Sequence, residues 1–273
     1  MSGREKADML LGKHTPVIDK YAPELLYAIP RASGREHIDC SQPLPFGGVD
    51  LWHAYELSWL DAAGKPQVRV ARIMIPASSP NMVESKSFKL YLNSLHNTSF
   101  STEAELVSTI RADVSATVAV SIELELLQVE DASLAGRRLC GECLDQLPVS
   151  PVAGEPQATM LVRSAEISEQ RFYSHLLRSL CPVTGQPVWA TVWVHVRGLT
   201  LVPSSLLGYI IAYRQHQEFH EQCVERMFCD IHTRCEPEFL HIQAFYTRRG
   251  GLDINPFRST DPAARPLPRL NRQ

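Results

Sequence analysis

The stretch Leu180-Cys181-Pro182-Val183-Thr184-Gly185-Gln186-Pro187-Val188-Trp189 sets one cysteine at the mouth of a turn between two strand-like runs. Upstream, residues 172–180 are apolar and mixed. Downstream, Val192, Val194 and Val196 alternate with Trp193 and His195, the period-two pattern of a half-buried strand. Pro182, Gly185 and Pro187 punctuate the connection and predict a rigid loop. Loops held on a fixed scaffold often carry reactive groups. A free cysteine is also a small hydrophobe that packs well in a core, so the turn alone leaves both readings of Cys181 open.

Working outward, the pattern predicts a strand-turn-strand over residues 159–197 and helices over 203–214 and 217–234, then a strand from Leu240 to Tyr246. The first half of the chain repeats that order. A run from Asp50 to Leu60 leads through Asp61 to Pro66 into a second run, Val68 to Ile75, a hairpin signature. After the break at Pro80, Val83, Phe88, Tyr91, Leu92 and Leu95 stand near helical spacing. Thr102 with Glu105 suggests a capping box for a second helix with Leu106, Val107, Ile110 and Val114 on its apolar face. Val118, Val120, Ile122, Leu124 and Leu126 then alternate as a strand. The two hairpin turns share a skeleton, Leu60 before Gly64-Lys65-Pro66 and Leu180 before Gly185-Gln186-Pro187. Internal repetition of this kind fixes architecture. The expected fold is α+β, built from two related modules with antiparallel sheets. The expected division is an arm over 1–45, a first module over 46–129, a Pro- and Gly-punctuated linker over 130–158 and a second module over 159–273.

Composition narrows the function. With 44% hydrophobic and 21% charged residues the chain has ample core, and a formal charge of -3 argues against a protein that coats nucleic acid. No apolar run is long enough for a membrane span, and no secretory signal is read at the N-terminus. Seven cysteines in this setting suggest reduced thiols in the cytoplasm. Cys140-Gly141-Glu142-Cys143 is a lone pair with no partner pair at zinc spacing, so no metal site is expected.

Three further stretches could carry chemistry. Glu84-Ser85-Lys86-Ser87-Phe88-Lys89 opens a helix, whose N-terminal N–H groups favour an anion, with Lys86 and Lys89 adding charge. Phe219-His220-Glu221-Gln222 opens another. There Glu221 could accept two parallel N–H bonds from a guanidine-like ring edge and His220 could move protons. Arg248-Arg249-Gly250-Gly251 pairs guanidinium groups with glycines, a combination suited to phosphate. Solvated helix starts and a polar chain end would look similar. No Rossmann glycine fingerprint occurs.

These stretches, in this order with the Cys181 loop, resemble those of the NADPH-dependent nitrile reductase of queuosine biosynthesis, 7-cyano-7-deazaguanine reductase, in its longer form. The likeness runs over nearly the whole chain. It implies two tandem tunnelling-fold modules, a homodimer, NADPH as cofactor and 7-cyano-7-deazaguanine as substrate. It also implies that Cys181 adds to the nitrile carbon to give a thioimide, which two hydrides reduce to the aminomethyl product. By the same resemblance Val83, Glu84 and Ser85 line the base pocket and His220 and Glu221 bind the deazaguanine. Ser85, Lys86, Arg249 and Gly250 then reach NADPH. Direct binding of tRNA is not implied. The chain departs from the family at one position. Where the family carries the aspartate that activates the thiol and protonates the imide, this chain has Val188. Valine neither accepts nor donates a proton. An engineered substitution, a natural homologue that uses His220 or water instead, or a homologue that binds without turning over are all open on the sequence.

Overall fold

The computed structural model describes residues 18, 20–40, 42–149 and 154–273, so the first part of the expected N-terminal arm and part of the linker lie outside the described residues. The chain divides into two compact units. Unit 1 comprises Met1–Arg35, Leu51–Ala135 and Arg248–Ile254; unit 2 comprises Glu36–Asp50, Gly136–Thr247 and Asn255–Gln273.

In unit 1, β1 (Ala28–Pro30) is followed by the short helix α1 (Arg31–Arg35) and by the hairpin of β2 (Gly47–Leu60) and β3 (Pro66–Pro76). The hairpin turn is built by Asp61. Its Oδ1 accepts the N–H groups of Ala63 and Lys65 at 2.9 and 3.0 Å, and Gly64 takes the left-handed conformation with φ +80°. β4 (Asn81–Val83) pairs antiparallel with β1, which puts Val83 in a strand and not in the helix its spacing suggested. Helix α2 (Ser85–Ser94) starts just beyond it, and α3 (Glu103–Val118) follows. Thr102 caps α3 as expected, its hydroxyl accepting the Glu105 N–H at 3.1 Å. The return bond lands one residue early, because the Glu105 carboxylate accepts the N–H of Ser101 at 2.8 Å, not that of Thr102. Leu106, Ile110, Val114 and Val118 are buried along α3. Val118 therefore belongs to the helix, which Ala119 ends at φ 59°, and strand β5 starts only at Glu123 (Glu123–Leu127). β5 pairs antiparallel with β3, Ile73 opposite Leu124. The strand order here is β5-β3-β2.

In unit 2, β6 (Glu142–Cys143) precedes two long strands, β7 (Arg163–Leu180) and β8 (Pro187–Leu201). Helices α4 (Pro203–Ala212) and α5 (His220–Cys235) and strand β9 (Phe239–Tyr246) come next. β10 (Leu252–Ser259) closes the chain's regular structure, and its last residues pair with β9, Phe257 opposite Gln243. The order is β9-β8-β7-β6, antiparallel except for the two-residue β6. The alternation along β8 has a physical outcome. Val192, Val194 and Val196 pack with Val224, Met227 and Phe228 of α5, while Trp193 joins Phe245 and Leu270 in a second cluster. A fully buried Arg258 ties the unit's polar interior, 2.8 Å from both Asp50 and Glu225. Both halves thus contain the predicted order of two long strands, two helices and a strand, with the short β4 inserted before the helices of the first half.

One expectation is corrected. Cys40 and Cys229 form a disulfide, their Cα atoms 5.3 Å apart, whereas all seven cysteines read as reduced. The pairing joins residues 189 positions apart, a proximity that no local pattern records. Among the described residues no helix is long and apolar enough to cross a membrane.

Candidate active site

Cys181 sits half-buried on the turn between β7 and β8. Its N–H donates to the Gln186 carbonyl and its own carbonyl accepts the Gly185 N–H, both at 2.9 Å. Gly185 has φ +68°, so the turn needs a residue without a Cβ there. The preceding residue is held as well, since the Leu180 N–H donates to the His216 carbonyl at 2.8 Å. The loop is therefore fixed at both ends, as its prolines suggest. Val188 lies seven positions on, paired across the hairpin with Ser179 and only 1% exposed. Val188 belongs to the apolar cluster against which Cys181 packs.

Helix α5 carries the other unit 2 candidates. The ring of His220 stacks on Tyr246, and Glu221 is buried beside the same tyrosine, where its charge helps hold the phenol protonated. Burial, that carboxylate and the neighbouring thiol push the Tyr246 phenol far above its ordinary range. Cys223, also buried, has its thiol pushed well up by desolvation. Cys223 is fully buried, whereas Cys181 is half-buried on its loop.

Sequence reading missed the cluster before α5. Glu218 is buried, accepts the Arg226 guanidinium through both oxygens and lies 2.9 Å from His216 Nε2. Burial works to raise its pKa, yet the bonds from His216 and Arg226 hold it below the ordinary carboxylate value. Burial likewise disfavours charged His216, but bonds to Glu218 and Glu155 outweigh it and raise its pKa. Because the His216 carbonyl anchors Leu180, this ion cluster braces the nucleophile's loop. No motif flags it; its members are ordinary polar residues until folded.

Unit 1 holds the remaining candidates. Glu84 precedes α2 and spends its carboxylate on that helix, accepting the Lys86 and Ser87 N–H groups at 2.8 and 2.7 Å. The helix start therefore does not offer these N–H groups to an outside anion, as the sequence suggested. Burial raises the Glu84 pKa despite those bonds. Val83 is buried, and Ser85 and Lys86 are half-buried. Arg249 and Leu252 close a tight turn by exchanging backbone bonds of 2.8 and 3.2 Å. Gly250 and Gly251 both have positive φ, +59° and +78°, the type I′ signature. This turn faces Lys89, Asn93 and Glu56 across a shallow, open cleft. Lys86, Lys89 and Asn93 fall on one helical face by their spacing. Arg248 is oriented from below: its guanidinium lies 3.8 Å over the Tyr55 ring, and the Tyr55 hydroxyl donates to buried Asp253 at 2.5 Å. His53 holds the other Asp253 oxygen at 2.9 Å. Lys89, 3.9 Å from the Glu56 carboxylate, lines this cleft with Gly250 and Gly251, and Arg248 and Arg249 precede those glycines in the chain, a combination suited to a phosphate-bearing cofactor such as NADPH.

Taken together, the features define an α+β protein with a loop-held cysteine in one unit and a glycine turn facing Lys89 in the other. Residues 17–126 match the family model described as nitrile reductase, 7-cyano-7-deazaguanine-reductase N-term, and residues 187–265 match that of QueF-like protein. The chain is 47% identical over 277 residues to the NADPH-dependent 7-cyano-7-deazaguanine reductase of Chromohalobacter salexigens, covering 100% of both. Identity is 48% to that of Acinetobacter baumannii strain AYE, over 97% of this chain and 98% of the relative. It is 49% to that of Dechloromonas aromatica, over 94% and 92%. The chain belongs to the 7-cyano-7-deazaguanine reductase family.

Proposed function

We propose that this chain reduces the nitrile of 7-cyano-7-deazaguanine to an aminomethyl group with two NADPH, in queuosine biosynthesis, using Cys181 as nucleophile. The observation that carries the reading is Cys181 itself. It is the one free cysteine held on a doubly pinned turn, while Cys223 is sealed inside as a thiol. A nitrile is a poor hydride acceptor, and covalent attachment splits the reduction into easier steps. The thiol sulfur bonds to the nitrile carbon and the nitrile nitrogen takes the proton, giving a thioimide. NADPH, when bound, supplies the two hydrides. The Cys181 sulfur leaves as thiolate when the C–S bond breaks, and recovers its proton at the end of the cycle.

The other residues bind and orient. Glu221, buried beside Tyr246, accepts two N–H bonds from the base edge, and His220 lies next to it as a proton source. Val83, Glu84 and Ser85 line the base pocket. Ser85, Lys86, Arg249 and Gly250 hold the cofactor, with Lys89 as an addition. Two tunnelling-fold modules, a homodimer and a cytoplasmic setting complete the reading carried by the family resemblance. Val188 favours a second reading, a homologue that binds the base and does not reduce it.

Intact mass of the full chain with and without the nitrile, in the absence of NADPH, tests the first step. The expected gain equals the whole ligand and disappears in Cys181→Ala. Base binding without any gain in mass supports the second reading.

A further inference from the structure

Cys140-Gly141-Glu142-Cys143, set aside above as a lone pair, has a different partner in the folded chain. Its second half forms β6, parallel to β7, with Glu142 opposite Phe172 and Cys143 opposite Tyr173. The approach depends on Gly141. With φ +126°, a Cβ there would lie 2.6 Å from the Arg171 carbonyl oxygen. Leu144 is fully buried and its N–H donates to the Tyr173 carbonyl at 3.0 Å, which anchors the segment between two polar residues. The result brings the Cys143 sulfur, an Asp145 carboxylate oxygen and an imidazole nitrogen of His175 within 4.8 Å of one another. Ligands around a tetrahedral zinc ion stand about 3.5 Å apart, from its bond lengths. Binding therefore requires the exposed Cys143 side chain to turn toward the other two.

The surroundings of these groups are those of a ligand set. Metal-bound histidines are held through their other ring nitrogen, and metal-bound carboxylates are themselves hydrogen-bonded. His175 Nδ1 is 2.8 Å from the Thr191 hydroxyl. Asp145 Oδ1 accepts the Ser174 hydroxyl at 2.7 Å and the His175 N–H at 3.1 Å. One thiolate, one imidazole and one carboxylate suit zinc, which takes all three donor types. We propose that Cys143, Asp145 and His175 form a zinc site with water as fourth ligand, clipping β6 to β7. It is separate from Cys181 and does not depend on the reductase reading. Cys140 is not among the three grouped residues, and its carbonyl accepts the Trp193 indole N–H at 3.0 Å.

The test is titration of the full, metal-stripped and reduced chain with Co²⁺, read by its absorption spectrum. The expected result is one equivalent bound, with a thiolate-to-cobalt charge-transfer band and tetrahedral visible bands that Zn²⁺ abolishes. Cys181→Ala and Cys140→Ser retain this spectrum, while Cys143→Ser loses the charge-transfer band and His175→Ala loses binding. Thr191→Val weakens binding about 10–100-fold, the usual effect of removing a ligand's own support. Zn²⁺ raises the melting temperature of the wild-type chain and not of His175→Ala, with circular dichroism showing each variant folded. Absence of the band in the wild type, its survival in Cys143→Ser, or its loss in Cys181→Ala overturns the proposal.

Discussion

The ring of His220 lies flat on that of Tyr246, their centroids 3.8 Å apart and their planes inclined by 17°. An imidazole so held has the orientation of its face set by the tyrosine ring. Stacked aromatic pairs are worth about 0.5–1.5 kcal/mol beyond the area they bury. Tyr246→Leu should therefore weaken binding of the deazaguanine by up to about tenfold, since 1.4 kcal/mol is a factor of ten, and Tyr246→Phe should bind nearly as the wild type does. Calorimetric titration in a Cys181→Ala background, where no adduct forms, measures both.

Val188 is buried next to Cys181's turn, so an acid placed there has two effects of opposite value. Val188→Asp should accelerate NADPH oxidation by about 10²–10⁴, the usual contribution of a general acid–base group. The same substitution should lower stability by about 1–3 kcal/mol, because the carboxyl is buried in an apolar cluster. Steady-state kinetics and urea unfolding on one preparation give both numbers. An unchanged rate would mean that another group already supplies the protons.

The His216–Glu218 pair makes stability depend on pH with a definite sign. His216 is raised above 6.5 in the folded chain, so its contribution is complete below that value and disappears as pH rises through the folded pKa. Glu218 is lowered below 4.5, so its contribution is complete above that value and disappears as pH falls through the folded pKa. The groups acting on this site are Glu155, Glu218 and Arg226. The stability difference between wild type and His216→Gln should be greatest between pH 4.5 and 6.5 and should shrink above, as unfolding midpoints across pH will record.

Arg258 is wholly buried between Asp50 and Glu225, and burial is outweighed by those two carboxylates, which push its pKa up. Glu225→Ala leaves the cation with one carboxylate, Asp50, and should cost about 3–5 kcal/mol, the usual effect of breaking a buried pair. Denaturant unfolding reports it. A loss below 1 kcal/mol would show that water reaches the site.

Arg249→Ala should raise KM for NADPH about tenfold, equivalent to 1.4 kcal/mol of lost binding. It should leave adduct formation at Cys181 unchanged, because the covalent step uses no cofactor. Mass spectrometry and kinetics separate the two effects, and a loss of adduct would move Arg249 into the base site.

Local pattern and tertiary contact divide this protein clearly. The Asp61 turn, the Thr102 cap, the proline-bounded Cys181 loop and the glycine pair at 250–251 are legible in sequence, because each depends on residues a few positions apart. So is the repeated order of elements, which follows from hydrophobic periods of two and of three to four residues. Only the tertiary structure decides that Val118 ends a helix, that Glu84 caps its own helix, and that Cys40 meets Cys229. The same holds for Asp253 beneath Tyr55 and for His175 beside Cys143, separated by 198 and 32 positions. Such groups acquire partners, burial and shifted pKa values only when distant segments pack. That energy is a property of proximity in space, on which neighbours in the chain carry no information.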